Sequence, residues 1–136
     1  MAKARGLRNN NPGNIRKSSQ VFVGELKKST DKKFKQFESI AYGYRAMFRI
    51  ITTYIKHRQL HRLDQIIERW APRDDKNDTA TYIKFVCEVT KFKSDRIIDY
   101  RNENDMCMLV SAMSQMENGV KAVKADVEAG WKLLNG

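Results

Sequence analysis

The sequence is poor in cysteine, histidine and long apolar runs. It has two cysteines and two histidines in 136 residues, without the spacing of a zinc site, so we expect no metal site and no cofactor. Cys87 and Cys107 lie in apolar helical patterns, which predicts buried free thiols rather than a disulfide. No run approaches the roughly 20 apolar residues that cross a bilayer, and the first residues lack the apolar segment of a secretion signal. We therefore expect no membrane span and no signal peptide, so that another factor must carry the protein to any site outside the cytoplasm.

Positive charge is abundant. The formal net charge is +10, with 41% hydrophobic and 31% charged residues, a composition typical of one folded domain spanning residues 1–136. Such charge points to an anionic partner: nucleic acid, a membrane surface or a negatively charged wall polymer. The chain has no recognition-helix, zinc-finger or RNP-type motif and its basic residues are scattered, which argues against nucleic acid.

The hydrophobic periodicity predicts an α+β domain that is mainly α. Alternating residues over 20–38 indicate one small β-hairpin near the N-terminus. From Ser39 the period becomes helical, with Ser39 as N-cap. Pro72 ends a second helix, which is predicted over about 62–70. Further helices are predicted from a cap at Asn77 or Asp78, over about 105–117 from a cap at Asn102 or Asn104, and over 121–134.

The segment of residues 8–16 reads Arg-Asn-Asn-Asn-Pro-Gly-Asn-Ile-Arg. Asparagine side chains bond their own backbone, proline fixes φ and glycine allows positive φ, so the run predicts a rigid polar loop. Rigid polar loops often carry binding or catalytic groups. A solvated turn before the hairpin is the alternative interpretation.

A glutamate, Glu117, continues the apolar face of the fourth predicted helix. It follows Met113 by four residues and precedes the helix stop Asn118-Gly119. The negative end of the helix and burial both disfavour an ionised carboxylate, as a general acid near neutral pH requires. Alternatively, Glu117 rotates to solvent or pairs with a lysine. Glu38 and Glu25, on the predicted hairpin, are the competing candidates for the acid.

Several motifs together resemble a bacteriophage family of virion structural or lysozyme-like proteins. The resemblance begins with residues 5–16 and ends with Glu117-Asn118-Gly119. Between them come residues 37–39 (Phe-Glu-Ser), 43–46 (Gly-Tyr-Arg-Ala), 69–72 (Arg-Trp-Ala-Pro) and 77–79 (Asn-Asp-Thr) with Tyr82. The motifs follow one another along nearly the whole chain. The likeness implies a single lysozyme-like domain that resides in the phage virion, or in the bacterial cytoplasm before export.

A more distant likeness concerns the flagellar-type glucosaminidases of the lysozyme superfamily. Residues 10–16 resemble their Asn-rich turn, residues 34–39 resemble their Phe-x-x-Tyr-x-Ser strand, and Glu117-Asn118-Gly119 resembles their catalytic Glu-Ser-Gly motif. Here the catalytic motif stands at the far end of the chain, so the resemblance implies a circularly permuted order. Phe22 stands where a tryptophan is often expected.

The resemblance implies cleavage of peptidoglycan, by hydrolysis or by transglycosylation, with Glu117 as general acid. Glu38 or Glu25 would be the second carboxylate, unless the substrate itself supplies that group. Other partners would be virion proteins, and a non-catalytic virion or cell-wall-binding protein is the alternative. The implied substrate-binding residues offer polar groups (Asn10, Asn11, Asn14, Arg16 and Ser39) or ring faces (Tyr42, Tyr44 and Trp70), although the aromatic residues also suit a core.

Overall fold

The structure, a computed structural model, describes residues 3–136. Within these residues the chain is mainly helical, as predicted. A single 3₁₀ turn, Arg73–Asp75, follows the third helix. The helices are α1 (Arg5–Arg8), α2 (Ile40–Arg58), α3 (Leu63–Trp70), α4 (Thr79–Thr90), α5 (Glu103–Asn118) and α6 (Lys124–Asn135). No helix of the described part is long and apolar enough to cross a membrane.

The helix boundaries follow local capping chemistry. Ser39 caps α2 by accepting a hydrogen bond from the Tyr42 backbone N–H, and Asp78 and Asn102 cap α4 and α5 in the same way. Each cap satisfies a backbone donor that the first helical turn leaves without a partner. Gly119 ends α5 with a φ of 74°. These caps confirm the predictions from sequence, although α6 begins at Lys124 rather than at residue 121.

The predicted β-hairpin over residues 20–38 is wrong in its extent. Among residues 3–136 this region forms no regular strand, only the isolated antiparallel bridges Arg16–Phe34 and Glu25–Phe37. Gly24 adopts a φ of 80°, and the Phe22 backbone N–H donates to Glu25 Oε1. Residues 22–25 therefore turn where a strand was expected, because a local side chain takes the donor that a ladder would use.

The main core lies between α2 and the helices that pack on it. α2 runs along α6, while α5 packs against both α4 and α6. Phe48 of α2 meets Trp131 of α6 edge to face, with 5.3 Å between ring centroids. Tyr44 is also buried there, and its hydroxyl hydrogen bonds Ser114 Oγ of α5 at 2.9 Å. The packing holds the C-terminal half of α5, which carries Glu117, against the centre of the molecule.

The two cysteines are free and half-buried. Cys107 lies on α5, where burial raises the pKa of its thiol to about 11. The thiol is therefore protonated at neutral pH and behaves as a small hydrophobic group.

The segment between α1 and α2 is held mainly by polar contacts. Lys35 is only 2% exposed, and its Nζ donates to Glu25 Oε2 at 2.9 Å and to the backbone carbonyls of Gln20 and Ser18. A buried ammonium is tolerated only when it is paired and hydrogen-bonded in this way. Lys35 therefore anchors residues 18–25, in which Phe22 is buried but Val21 and Val23 are exposed.

Asp31 joins this segment to α1. Its carboxylate accepts two hydrogen bonds from the Arg5 guanidinium at 2.7 Å and one from Asn9 Nδ2. It also accepts from the backbone N–H groups of Lys33 and Phe34. These donors, Arg5 first, hold the pKa of the Asp31 carboxyl well below its usual range.

We predict that Asp31→Asn lowers the melting temperature at pH 7. Because the pKa of Asp31 is lower in the folded state, its contribution to stability is complete above the unfolded pKa of about 3.9 and is lost as pH falls through the folded pKa. The difference from the wild type should therefore narrow below about pH 4. Thermal melts from pH 7 to pH 2.5 measure this difference in melting temperature.

The control is Asp99→Asn, which removes the more exposed ion pair with Arg101. Its melting temperature should differ little from that of the wild type. If the melting temperature of Asp31→Asn were lower than that of the wild type by the same amount at every pH, this account would be contradicted.

Candidate active site

Glu117 lies in the last turn of α5, and three side chains donate hydrogen bonds to its carboxylate. Asn14 Nδ2 donates to Oε1 at 3.0 Å. The Tyr82 hydroxyl donates to Oε2 at 2.9 Å, and Trp70 Nε1 donates to the same oxygen at 3.3 Å. The donors come from the N-terminal turn, from α4 and from the end of α3. The carboxylate is thus the meeting point of four separate parts of the chain.

Tyr82 is a donor throughout the ordinary pH range. Burial, together with the adjacent Glu117 charge, raises the pKa of the Tyr82 phenol well above its usual value. An ionised phenol beside a carboxylate would be repelled, so the protonated form is strongly favoured. The hydrogen bond from Tyr82 therefore holds Glu117 Oε2 in one position.

The N-terminal turn has the local geometry that its asparagines favour. Asn10 and Asn14 adopt left-handed backbone conformations, with φ of 52° and 50°, which asparagine tolerates better than most residues. Asn11 is fully buried, and its side chain bonds the backbone of Ile15 and the carbonyl of Lys35. The turn is therefore rigid, as predicted, and it points Asn14 at Glu117.

Asn118 fastens the same turn to α5. Its Nδ2 donates to the Pro12 carbonyl at 2.8 Å and to the Ser114 carbonyl at 2.9 Å. The N-terminal turn and the end of α5 thus contact each other directly beside Glu117.

Gly6 leaves room for this contact. A Cβ at Gly6 would lie 2.5 Å from Asn118 Oδ1 and 2.8 Å from Asn14 Oδ1. These two amide oxygens are buried without a conventional hydrogen-bond donor, and both face the Cα of Gly6, whose C–H groups are weak donors. Only glycine fits between them, so α1 contributes to the placement of Asn14 and Asn118.

Glu117 opens onto a cleft of about 360 Å³. Two further polar residues, Asp75 and Asn77, come from the loop between α3 and α4, and Trp70 and Tyr54 supply aromatic rings. The remaining lining residues are Gly13, Asn14, Ile15, Arg16, Phe34, Ile50 and Ala71. The volume is at the lower end of the range for small-molecule pockets, and the lining mixes ring faces with a few polar groups, as ligand sites do.

Four of the residues predicted for the site lie together at this cleft: Glu117, Asn14, Arg16 and Trp70. The other predicted binding residues do not line it. Asn10 donates to the Phe37 carbonyl and Asn11 is buried, whereas Ser39 is the cap of α2. Tyr42 packs against a small cluster of Phe22, Phe37 and Ala46, and Tyr44 lies in the main core.

The two competing glutamates are also outside the cleft. Glu25 is engaged by the buried Lys35. Glu38 is exposed, and its backbone N–H donates to the Gly24 carbonyl. Neither carboxylate is therefore brought to Glu117.

Three residues at the site escaped the sequence analysis. Tyr82 enters the predictions from sequence only as part of a motif, although a buried tyrosine hydroxyl usually finds a partner. Asn77 enters them only within that motif and as a candidate helix cap, and Asp75 has no predicted role. The proximity of their loop to the Arg-Trp-Ala-Pro motif was the available signal. Among the described residues, no group of three or more metal-binding side chains is present.

We predict that Gly6→Ala lowers stability by about 1–3 kcal/mol, the usual cost of inserting a methyl group into a packed site. It should also displace Asn14 and Asn118 and so change the fluorescence of Trp70. Gly119→Ala is the control, because a Cβ there meets nothing within 4 Å although φ is 74°. The control should lose stability through backbone strain but leave the Trp70 emission unchanged. Identical spectra for both variants would contradict the role assigned to Gly6.

Comparison with known proteins places this site in context. No protein-family profile matches the chain. Protein P5 of Pseudoalteromonas phage PM2 is 40% identical to it over 119 residues, which cover 85% of this chain and 72% of the relative. Identity at this level over most of both chains establishes common ancestry. The chain therefore belongs to the bacteriophage protein family that includes protein P5 of Pseudoalteromonas phage PM2.

Proposed function

We propose that the protein is a peptidoglycan-cleaving glycosidase of a bacteriophage, with Glu117 as its general acid. One observation carries this proposal: a glutamate at a helix end is held by three donors at the edge of a cleft lined by aromatic and amide side chains. Glycosidases place a carboxyl group in this way beside the bond they cleave. The membership of a phage family supports a bacterial wall as the target.

The hydrogen bonds leave one oxygen of Glu117 with room for a further partner. Oε2 accepts from both Tyr82 and Trp70, which uses its two lone pairs. Oε1 accepts only from Asn14 and has one lone pair left. Oε1 is therefore the oxygen with room to face the glycosidic oxygen, to which a general acid transfers its proton as the bond to the anomeric carbon breaks.

Asp75 is the best-placed second carboxylate, because it lines the cleft with Glu117 whereas Glu25 and Glu38 do not. It would act as nucleophile or as the base that activates water. The acetamido or hydroxyl group of the substrate is the alternative source of this function. Asn14, Asn77 and the ring of Trp70 suit the hydroxyl groups and the apolar face of a sugar.

The lysozyme-like fold in permuted order is part of the same proposal. The contact between Asn118 and Pro12 supports it, since permutation requires that the two chain ends meet. We further propose that the protein resides in the virion. Its positive charge, +10 overall, suits an anionic wall polymer and predicts binding that weakens with salt.

Glu117→Gln is expected to reduce the release of soluble fragments from purified peptidoglycan by about 10²–10⁴-fold, the usual contribution of a general acid. Glutamine keeps one acceptor oxygen, so near-ultraviolet circular dichroism should confirm an unchanged fold. Glu88→Gln makes the same chemical change on an exposed position of α4 and should retain full activity. Equal rates for the wild type and Glu117→Gln would remove Glu117 from the mechanism.

The Asp75→Asn variant tests whether Asp75 or the substrate itself supplies the nucleophile or base. If Asp75 is the nucleophile or base, the variant should lose at least about 10²-fold in rate, and an external nucleophile such as azide should restore part of it. The neighbouring Asp74→Asn is the matched control, because Asp74 does not line this cleft. Full activity of Asp75→Asn would assign the function to the substrate.

The second candidate function is a non-catalytic virion or cell-wall-binding protein. The comparison favours it, because the relative is a bacteriophage protein and its name gives no enzymatic activity. The structure also gives Glu117 a role without catalysis, as the acceptor that joins Asn14, Trp70 and Tyr82. Sedimentation with purified peptidoglycan without release of fragments, equal in the wild type and Glu117→Gln, would support this candidate over the first.

A further inference from the structure

A second cleft adjoins the one that holds Glu117. It has a volume of about 260 Å³ and shares three lining residues, Ile15, Ile50 and Tyr54, with the Glu117 cleft. The two clefts therefore adjoin one another, and we refer to them together as the groove. A polymer chain lying in the groove would occupy both.

The second cleft is basic. Arg58, the last residue of α2, and Arg69 of α3 line it beside Ser18, Gln20 and Thr53. In the described part of the chain neither guanidinium lies within 4.0 Å of a carboxylate. Both arginines are exposed. The Arg69 guanidinium also lies 6.0 Å from the centroid of the Tyr54 ring, and its donors that do not face Tyr54 remain available to a ligand. The apolar wall of this cleft comes from Phe22 and the three shared residues.

The groove is thus polarised along its length. Glu117 and Asp75 line the first cleft together with one arginine, Arg16, whereas the second holds two arginines and no carboxylate. The acidic part suits a neutral sugar ring, while the basic part suits an anion. This pattern disfavours a polymer with a charge on every unit, such as nucleic acid, because its phosphates would meet the two carboxylates.

We propose that the second cleft binds a carboxylate borne by the polysaccharide chain whose glycosidic bond lies at Glu117. Arg58 and Arg69 are the anchors, because a guanidinium matches the geometry of a carboxylate and remains charged at any working pH. The identity of the polymer rests on the proposed function. Binding of the carboxylate would set the register of the chain, so that a neutral unit reaches the acid.

The test compares two forms of one polymer in a protein that does not degrade it. Purified peptidoglycan is used untreated or with its carboxyl groups converted to amides, and binding is measured by sedimentation at about 0.1 M salt in the Glu117→Gln background. Arg58→Gln combined with Arg69→Gln removes the anchors. Arg49→Gln combined with Lys84→Gln removes the same charge from exposed positions outside both clefts and is the matched control.

The anchor variant should bind untreated peptidoglycan at least about threefold more weakly than its parent, the scale of exposed charge contacts, and should bind the amidated form as its parent does. The control should keep the preference for the untreated form. Equal binding of both forms by the parent, or an equal loss in the control, would overturn the inference. The inference would also be overturned if the two arginine substitutions weakened binding of single-stranded RNA more than binding of untreated peptidoglycan.

The experiments distinguish failure of the proposed carboxylate site from failure of the proposed glycosidase activity. If the wild-type protein releases no fragments yet prefers the untreated polymer through Arg58 and Arg69, the carboxylate site stands without the glycosidase. If it cleaves both forms equally and the anchor variant behaves as the wild type does, the glycosidase stands and the site is wrong.

Discussion

The contact between the N-terminal turn and the end of α5 is the constraint on which the rest of the site depends. Asn118 bonds the Pro12 carbonyl, and Asn14 bonds Glu117, so residues 12–14 are fixed to a helix more than a hundred positions later. Loop closure over that separation costs entropy that neighbouring contacts must offset. The main core does so, because it holds α5 against α2 and α6. The cleft exists only after this core has formed.

Two different kinds of stabilisation meet at the cleft. The helical side is a conventional apolar core, in which burial supplies the main favourable free energy. The segment before α2 has only the small cluster around Phe22 and Phe37, and depends on the buried Lys35 and on Asp31. Buried polar networks specify one arrangement but are costly when any member is lost. Such a segment positions groups accurately without a sheet.

In the proposed function, the groove would combine cleavage and recognition in one surface. Its acidic part contains Glu117 with all but one of its acceptor positions visibly engaged, and its basic part contains two arginines without carboxylate partners among the described residues. Tyr54 lies between them and belongs to both clefts. In the proposed function, the basic part selects an anionic chain and the acidic part acts on a neutral unit. The strong overall charge then has a local counterpart at the site.

Sequence alone determined the features that short-range chemistry controls. Ser39, Asp78, Asn102 and Gly119 identify helix ends because capping depends on neighbouring backbone groups, and the asparagine run identifies a rigid turn for the same reason. The four-residue spacing from Met113 also placed Glu117 on the apolar face of its helix. Only the tertiary structure decided which residues surround Glu117. Tyr82, Asp75 and Gly6 are remote from it in sequence, and long-range packing brings them to one place. The hairpin was lost for a local reason instead, since the Glu25 side chain takes the Phe22 backbone donor that a ladder would use.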